Sequence, residues 1–436
     1  MRLRDGIEPM RMDRIAVVAP ADSLESALEA VAASGVVEPD LGLLESAGGA
    51  PEDSTEAPVG QVIEASIQRG DVAALAGWAT AAGIDELASR LRPLGASVVR
   101  LQSPAGVQPP TLLGTAGLSG AFQPLVDTYT TVPYFDLNPS LLAGLAYVAM
   151  FGMMFGDVGH GAMLVLGGLG LRSRRLNPAG RLRQAVPFVL GAGLASMGFG
   201  LAYGEAFGPT RLVPTLWISP LDDPTRLLAV AVAIGGGLLS GSYLLSTINR
   251  WREGGPAAAF LAVAGIAGAA TYLGLALVGF GSYRHLDWAV AVGVALAGTG
   301  LLGAFAGLYA TAGGGGAGVA QAVVELFDSV VRLGTNTVSF ARLAAFGLTH
   351  AALSGVVLRG ATVLWHGSIL ERLCAVLLFI VGTAVCFALE GLVAAIQALR
   401  LEYYELFSRI FIGQGRQFRA WHPSTSPPEE VSCSAG

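Results

Sequence analysis

The pattern of apolar and polar positions divides the chain into two parts of different character. In the first part, short apolar stretches turn over quickly. Arg14–Ala19 reads as a short strand, a helix follows from a cap at Asp22 or Ser23 to about Ala33, and Gly35-Val36-Val37 opens a second strand. Residues 46–60, rich in Gly, Pro, Glu and Ser, predict a flexible connector, and a weaker helix-and-strand stretch covers about 70–101. Pro104 to Pro124 is Pro/Gly-rich and is expected to be extended. From Leu141 the pattern changes to long apolar runs at about 141–171, 184–206, 226–248, 257–281, 288–311, 319–365 and 369–410. A helical crossing of a bilayer takes about 20 residues, so each run is long enough to span one.

The first run is interrupted by Phe155-Gly156-Asp157-Val158-Gly159-His160-Gly161. It is long enough for one tall helix or two shallow ones. Charge asymmetry favours two. Arg172, Arg174, Arg175, Arg181 and Arg183 follow the run, and Arg250 and Arg252 sit in a second basic loop, so both segments are expected on the cytoplasmic side. The alternation then places Arg409, Arg416 and Arg419, and with them the C-terminus, in the cytoplasm. Counting backwards, a broken first run puts the N-terminal part there as well. Non-helical backbone at membrane depth is tolerated only where protein or a water cavity covers it, so the break predicts a packed or aqueous site.

Composition sharpens this picture. Hydrophobic residues make up 53% and charged residues 13% of the 436, with a mean hydropathy of +0.59. Soluble domains carry about a quarter charged residues, so the chain reads as an integral membrane protein. A net charge of −6 without a basic cluster argues against a nucleic-acid partner. Cys374, Cys386 and Cys433 form no pair or metal spacing, and no cofactor or metal is expected. The start of the chain has no apolar signal core, so no cleavage is expected. Gly313–Gly316 is not followed by Gly-Lys-Ser/Thr and is no phosphate cradle, so no nucleotide site of its own is expected.

Two late runs carry ionisable groups deep in apolar sequence, which is costly unless they face a cavity or a partner. Read as one helix, 325–350 places Asp328, Arg332, Thr335, Ser339, Arg342, Thr349 and His350 within roughly a third of the circumference. In the last run, Cys386, Glu390, Gln397, Arg400, Tyr404 and Ser408 share one face. These long runs are expected to be tilted, kinked or extended beyond the bilayer. Interhelical contacts between the two stripes, with Glu390 and Arg400 paired inside the bundle, would account for the charges structurally. An ion path is the alternative: arginine stays charged and forms a fixed barrier, while Glu390 and His350 titrate.

Several motifs, in order along the chain, resemble a known family. Leu137-Asn138-Pro139 followed by Phe151–Gly161 is similar to the first membrane segment of the large stator subunit of vacuolar/archaeal-type rotary ATPases, called subunit a or subunit I. Leu201–Gly208, Thr337–Ala351, Leu389–Ser408 and Phe411–Gly415 are similar to its later signatures. The resemblance implies a polytopic α-helical membrane protein of about eight transmembrane helices, the last two long and tilted, behind a small N-terminal α/β cytoplasmic domain. It implies the membrane stator of a V/A-type rotary ATPase, non-catalytic itself, with ion half-channels against a proteolipid ring. Arg342 and Arg400 would be the essential arginines, Glu390 and His350 would pass protons, and Ser339 and Asn336 would be polar lining. Asp157, His160 and Glu205 would be structural or relay groups. Expected partners are the ring, other stator and central-stalk subunits and the lipid bilayer, in a prokaryotic inner membrane.

The soluble part departs from the family. Met12–Val37 resembles the family's start, and Pro109–Leu113 followed by Leu125–Tyr129 resembles its lead-in, but its long coiled coil has no counterpart between them. The expected division is 1–135 cytoplasmic, 136–421 transmembrane and 422–436 a disordered tail. A ring-independent transporter and an assembly scaffold derived from this family remain as alternatives.

Overall fold

The computed structural model describes residues 8–40, 57–104, 106–114, 117–173, 181–210, 212–411 and 415–423. The chain forms two compact units. One takes residues up to 114, 130–134 and the chain from 414 on, and the other takes 115–129 and 135–413. The expected single cut at residue 135 is therefore replaced by interleaved segments. The 422–436 tail lies outside the described residues from 424 on.

The first unit is an antiparallel sheet under two helices. Strands β1 (Met12–Pro20), β2 (Val37–Pro39), β4 (Val72–Thr80) and β5 (Ser97–Arg100) lie in the order β2-β4-β1-β5, and β3 (Ile67–Arg69) also pairs with β4. The β1–β4 ladder runs from Met12↔Thr80 to Pro20↔Val72. Alternation decides the faces: Ile15, Val17 and Ala19 of β1 and Ala73 and Leu75 of β4 point to one side. There they meet Leu24, Ala27, Leu28 and Val31 of helix α1 (Leu24–Ser34) and Leu87 and Leu91 of helix α3 (Ile84–Leu91). Ser23 stands at the N-cap of α1 without a side-chain capping bond. Of the expected connector, 46–56 lie outside the described residues. From Val59 the chain is helical (α2, Val59–Glu64) with Val62 fully buried, so its end is packed rather than free.

Residues 415–423 complete this unit. Trp421 is fully buried in the core between helices and sheet, with its indole N–H donating to the Ala57 carbonyl (2.9 Å) and its amide to Val37 (2.9 Å). On the opposite face Phe418 packs with Met12 and Trp78. Glu38, almost completely buried, pairs with Arg416 and accepts the Arg419 amide at 3.0 Å. Burial raises its pKa, and Arg416 opposes the shift.

The second unit is helical. Six helical stretches among the described residues are long and apolar enough to cross a membrane: Arg183–Tyr203, Pro224–Leu261, Ile266–Arg284, Asp287–Thr311, Gly315–Trp365 and Ile369–Ile410. With the small sheet unit, this is a polytopic membrane protein. The broken first run appears as helix α5 (Ser140–Met154) and helix α6 (Val158–Arg172). The segment expected to be extended up to Pro124 is instead helical from Gly117 (α4, Gly117–Asp127). Its Phe122, Leu125 and Val126 are buried at i, i+3, i+4 spacing, and Phe122 fills the space that a side chain on Gly144 would need. Proline and glycine density had masked that apolar face.

Three further expectations change. The basic loop at Arg250 and Arg252 is helical, part of helix α8 (Pro224–Leu261), which follows helix α7 (Val186–Tyr203). The chain kinks later, at Gly255, whose φ of 72° favours glycine, just before Pro256. The 319–365 run is interrupted at Phe340, between helices α11 (Gly315–Ser339) and α12 (Ala341–Trp365). Phe340 is fully buried against α8, where a Cβ on Gly235 would strike its ring. The last run, helix α13 (Ile369–Leu401), passes into a π-helical turn at Glu402–Phe407. Helices α9 (Ile266–Arg284) and α10 (Asp287–Thr311) complete the set.

Two outcomes follow. Trp421→Ala is expected to cost about 3–5 kcal/mol in the sheet unit; hydrogen exchange of β1 and β4 amides in the full chain should accelerate while helical amides do not. Asp136, fully buried beside Glu253, has its pKa pushed from 3.8 up to about 7 by burial and by that neighbour. A raised carboxyl binds its proton more tightly when folded, so this group makes stability fall as pH rises from 3.8 towards about 7. Melting of the chain in detergent across this range should show that slope, and Asp136→Asn should flatten it.

Candidate functional site

The break between α5 and α6 leaves the first amides of α6 without helical partners. Asp157 caps them. Its Oδ1 accepts the amides of His160 (2.9 Å) and Phe207 (2.9 Å), and its Oδ2 accepts that of Gly208 (2.7 Å). Phe207 and Gly208 both hold positive φ (51° and 89°), which turns the 204–208 backbone around the carboxylate. The Val158 amide donates to the Glu205 carbonyl at 3.0 Å. Close approach permits this: a Cβ on Gly200 of α7 would lie 2.4 Å from the Val158 nitrogen.

This turn assembles a buried cluster. His160 is enclosed, its ring stacked at 5.5 Å on Phe155 and edge-on at 5.5 Å to Phe207. Its ring centroid lies 5.3 Å from that of His350 on α12, which is also buried. The Nδ1 of His350 bonds to Glu390 Oε2 of α13 at 2.5 Å. Glu205, almost fully buried, lies within electrostatic reach of Asp157 and Glu390. It also lines a polar cavity of about 540 Å³, together with Thr215, Ser219, Asp222 and Arg359. Five sequence candidates thus meet in one place: Asp157, His160, Glu205, His350 and Glu390.

The arginines form a second cluster. Arg342 is half-buried, with one terminal nitrogen buried and unpartnered, and Arg400 is exposed. Both lie within electrostatic reach of Glu405, which Ser339 faces. The Ser339 hydroxyl donates to the Thr335 carbonyl at 2.9 Å, and Asn336 is half-buried on the same helix. Asp328 and Arg332 pair with each other on the exposed side and join neither cluster. The continuous stripe expected over 325–350 is therefore divided at Phe340. Glu390 pairs with His350, not with Arg400.

Sequence reasoning passed over Glu402 and Glu405. The π-helical turn holds an extra residue and shifts the side-chain register, burying both carboxylates while Tyr404 stays 70% exposed. Two acids three residues apart in an apolar helix were the available signal.

Comparison with known proteins points to the same family. Residues 68–217 match the model of the V-type ATPase 116kDa subunit family. The chain is 26% identical over 376 residues to the A-type ATP synthase subunit I of Halobacterium salinarum, covering 71% of this chain and 51% of that one. The corresponding protein of Aeropyrum pernix is 27% identical, over 67% of this chain and 48% of its own. The human V-type proton ATPase 116 kDa subunit a 3 is 32% identical over 133 residues, 28% of this chain and 16% of its own. The chain spans about half the length of the archaeal relatives it matches.

Gly200→Val is expected to force α7 away from the break and uncouple the Asp157 cap. In detergent, the melting temperature should drop and amide exchange at His160, Phe207 and Gly208 should rise.

Proposed function

Because the chain belongs to the V-type ATPase 116 kDa subunit family, we propose that it is the membrane stator of a V/A-type rotary ATPase, forming ion half-channels against a ring of small proteolipid subunits. One observation carries this reading. Arg400 is exposed on a stretch, Ile369–Ile410, whose apolar window is only 11% buried. An arginine on a lipid-facing surface costs at least about 2.5–3.5 kcal/mol, so that face calls for an acidic protein partner within the bilayer. Ring carboxylates supply one.

The two clusters then divide the work. Arg342 and Arg400 cannot release their protons, so they act as fixed positive charge. A ring carboxylate arriving beside them is held ionised, because opposite charge favours its charged form. Ser339 and Asn336 line that approach, with Glu405 as local counter-charge. The second cluster carries the proton between the ring and the far side. Water in the cavity reaches Glu205, and Asp157, His160, His350 and Glu390 continue inward as groups able to hold or pass a proton. The hydrogen bond from His350 Nδ1 to Glu390 leaves Nε2 free for exchange. The protein thus couples proton passage to ATP hydrolysis or synthesis. In this reading 136–421 lies in the inner membrane of a prokaryotic cell with the N- and C-termini in the cytoplasm, an orientation that the arginines between 172 and 183 support by the positive-inside rule. Other stator and central-stalk subunits complete the assembly.

ATP-driven proton pumping in inverted vesicles tests this. With the complex intact by native gel, Arg342→Ala is expected to abolish pumping; full pumping by that variant would overturn the reading.

A further inference from the structure

The buried cluster holds three carboxylates and two imidazoles, and among the described residues no arginine forms an ion pair with any of them. Negative charge gathered away from water needs a cation. Protons are one answer, but the ring geometry suits another. One ligand atom from each of Asp157, His160 and His350 lies within 4.8 Å of the others, and all three residues are buried. Neither nitrogen of His160 has a hydrogen-bond partner, and neither has Nε2 of His350. An imidazole enclosed by protein with both nitrogens unsatisfied is costly.

The supports of these side chains match those of a metal centre. Glu390 Oε2 lies 2.5 Å from Nδ1 of His350, so with Glu390 ionised Nδ1 carries the proton and Nε2, buried and without a hydrogen-bond partner, holds the lone pair. A carboxylate behind a histidine in this way is the usual brace of a metal-bound imidazole. Asp157 is held by three backbone amides, yet each carboxylate oxygen accepts two partners, so Oδ2 keeps one site free. In a tetrahedral site, donors about 2.0–2.2 Å from a shared ion stand roughly 3.3–3.6 Å apart, so rotation of the imidazoles must draw the donors together by up to about 1.4 Å to close the site. Two imidazoles and one carboxylate favour zinc-like ions over magnesium or calcium.

We propose that Asp157, His160 and His350 form a binding site for a divalent transition-metal ion of the zinc type, and that an ion seated there closes the route through His350. The second half rests on the stator reading; the first stands without it. Three residues spread over 157–350 carry no metal spacing in sequence, so only the fold brings them together.

The test uses the full chain in detergent, purified without a polyhistidine tag and stripped with chelator, with Co²⁺ as the probe and Zn²⁺ as competitor. Expected are one Co²⁺ per chain, the visible bands of a four-coordinate nitrogen/oxygen site, displacement by Zn²⁺, and loss of the bands in His160→Ala and His350→Ala. Glu390→Gln should keep the bands and weaken binding by about 10–100-fold, which serves if a histidine variant does not fold. Absence of stoichiometric Co²⁺, or the same bands in either folded histidine variant, overturns the site. In vesicles, Zn²⁺ should stop pumping and chelator should restore it. Metal binding with undiminished pumping overturns the closing role and leaves the site standing, whereas the Arg342→Ala result bears on the stator reading alone.

Discussion

A backbone break inside a hydrophobic bundle must satisfy its own amides, and the Asp157 carboxylate meets that demand. It ties the start of α6 to the 207–208 turn with three hydrogen bonds. Once the carboxylate is fixed, the neighbouring features follow. The turn sets His160 stacked on Phe155 and edge-on to Phe207, α7 approaches at Gly200, and Glu205 is held beside the same charge. An interior carboxylate without those amides would be expelled or protonated.

The two groups of ionisable side chains solve different electrostatic problems. Around Asp157, the ionisable groups are buried or half-buried among aromatic rings. Around Arg342 and Arg400, charge is permanent and one arginine faces outward. Phe340 separates the polar residues of α11 from those of α12, and its burial at Gly235 anchors that division to α8. The π-helical turn has a comparable effect on α13, because it buries Glu402 and Glu405 just beyond Arg400.

The small sheet unit shows how distant chain segments share one core. Trp421 fills a space bounded by residues from β2, α1 and the 57–65 segment, and Glu38 receives Arg416 and the Arg419 amide. The unit's identity therefore depends on chain more than three hundred residues away from its first strand.

Sequence alone determined the membrane character, the broken first run, the strand-helix-strand start and the identities of the groups that meet around Asp157. These properties are local: length, apolar composition and glycine clusters act through nearest neighbours, and an ionisable group in an apolar run is visible as such. The tertiary structure decided the rest. It showed that His350 pairs with Glu390, that Phe340 divides the long stripe, that a π-helical turn buries Glu405, and that Trp421 belongs with the sheet. Each of these depends on which side chain fills which gap between elements far apart in the chain. Close packing sets that choice, and spacing along the sequence carries no record of it.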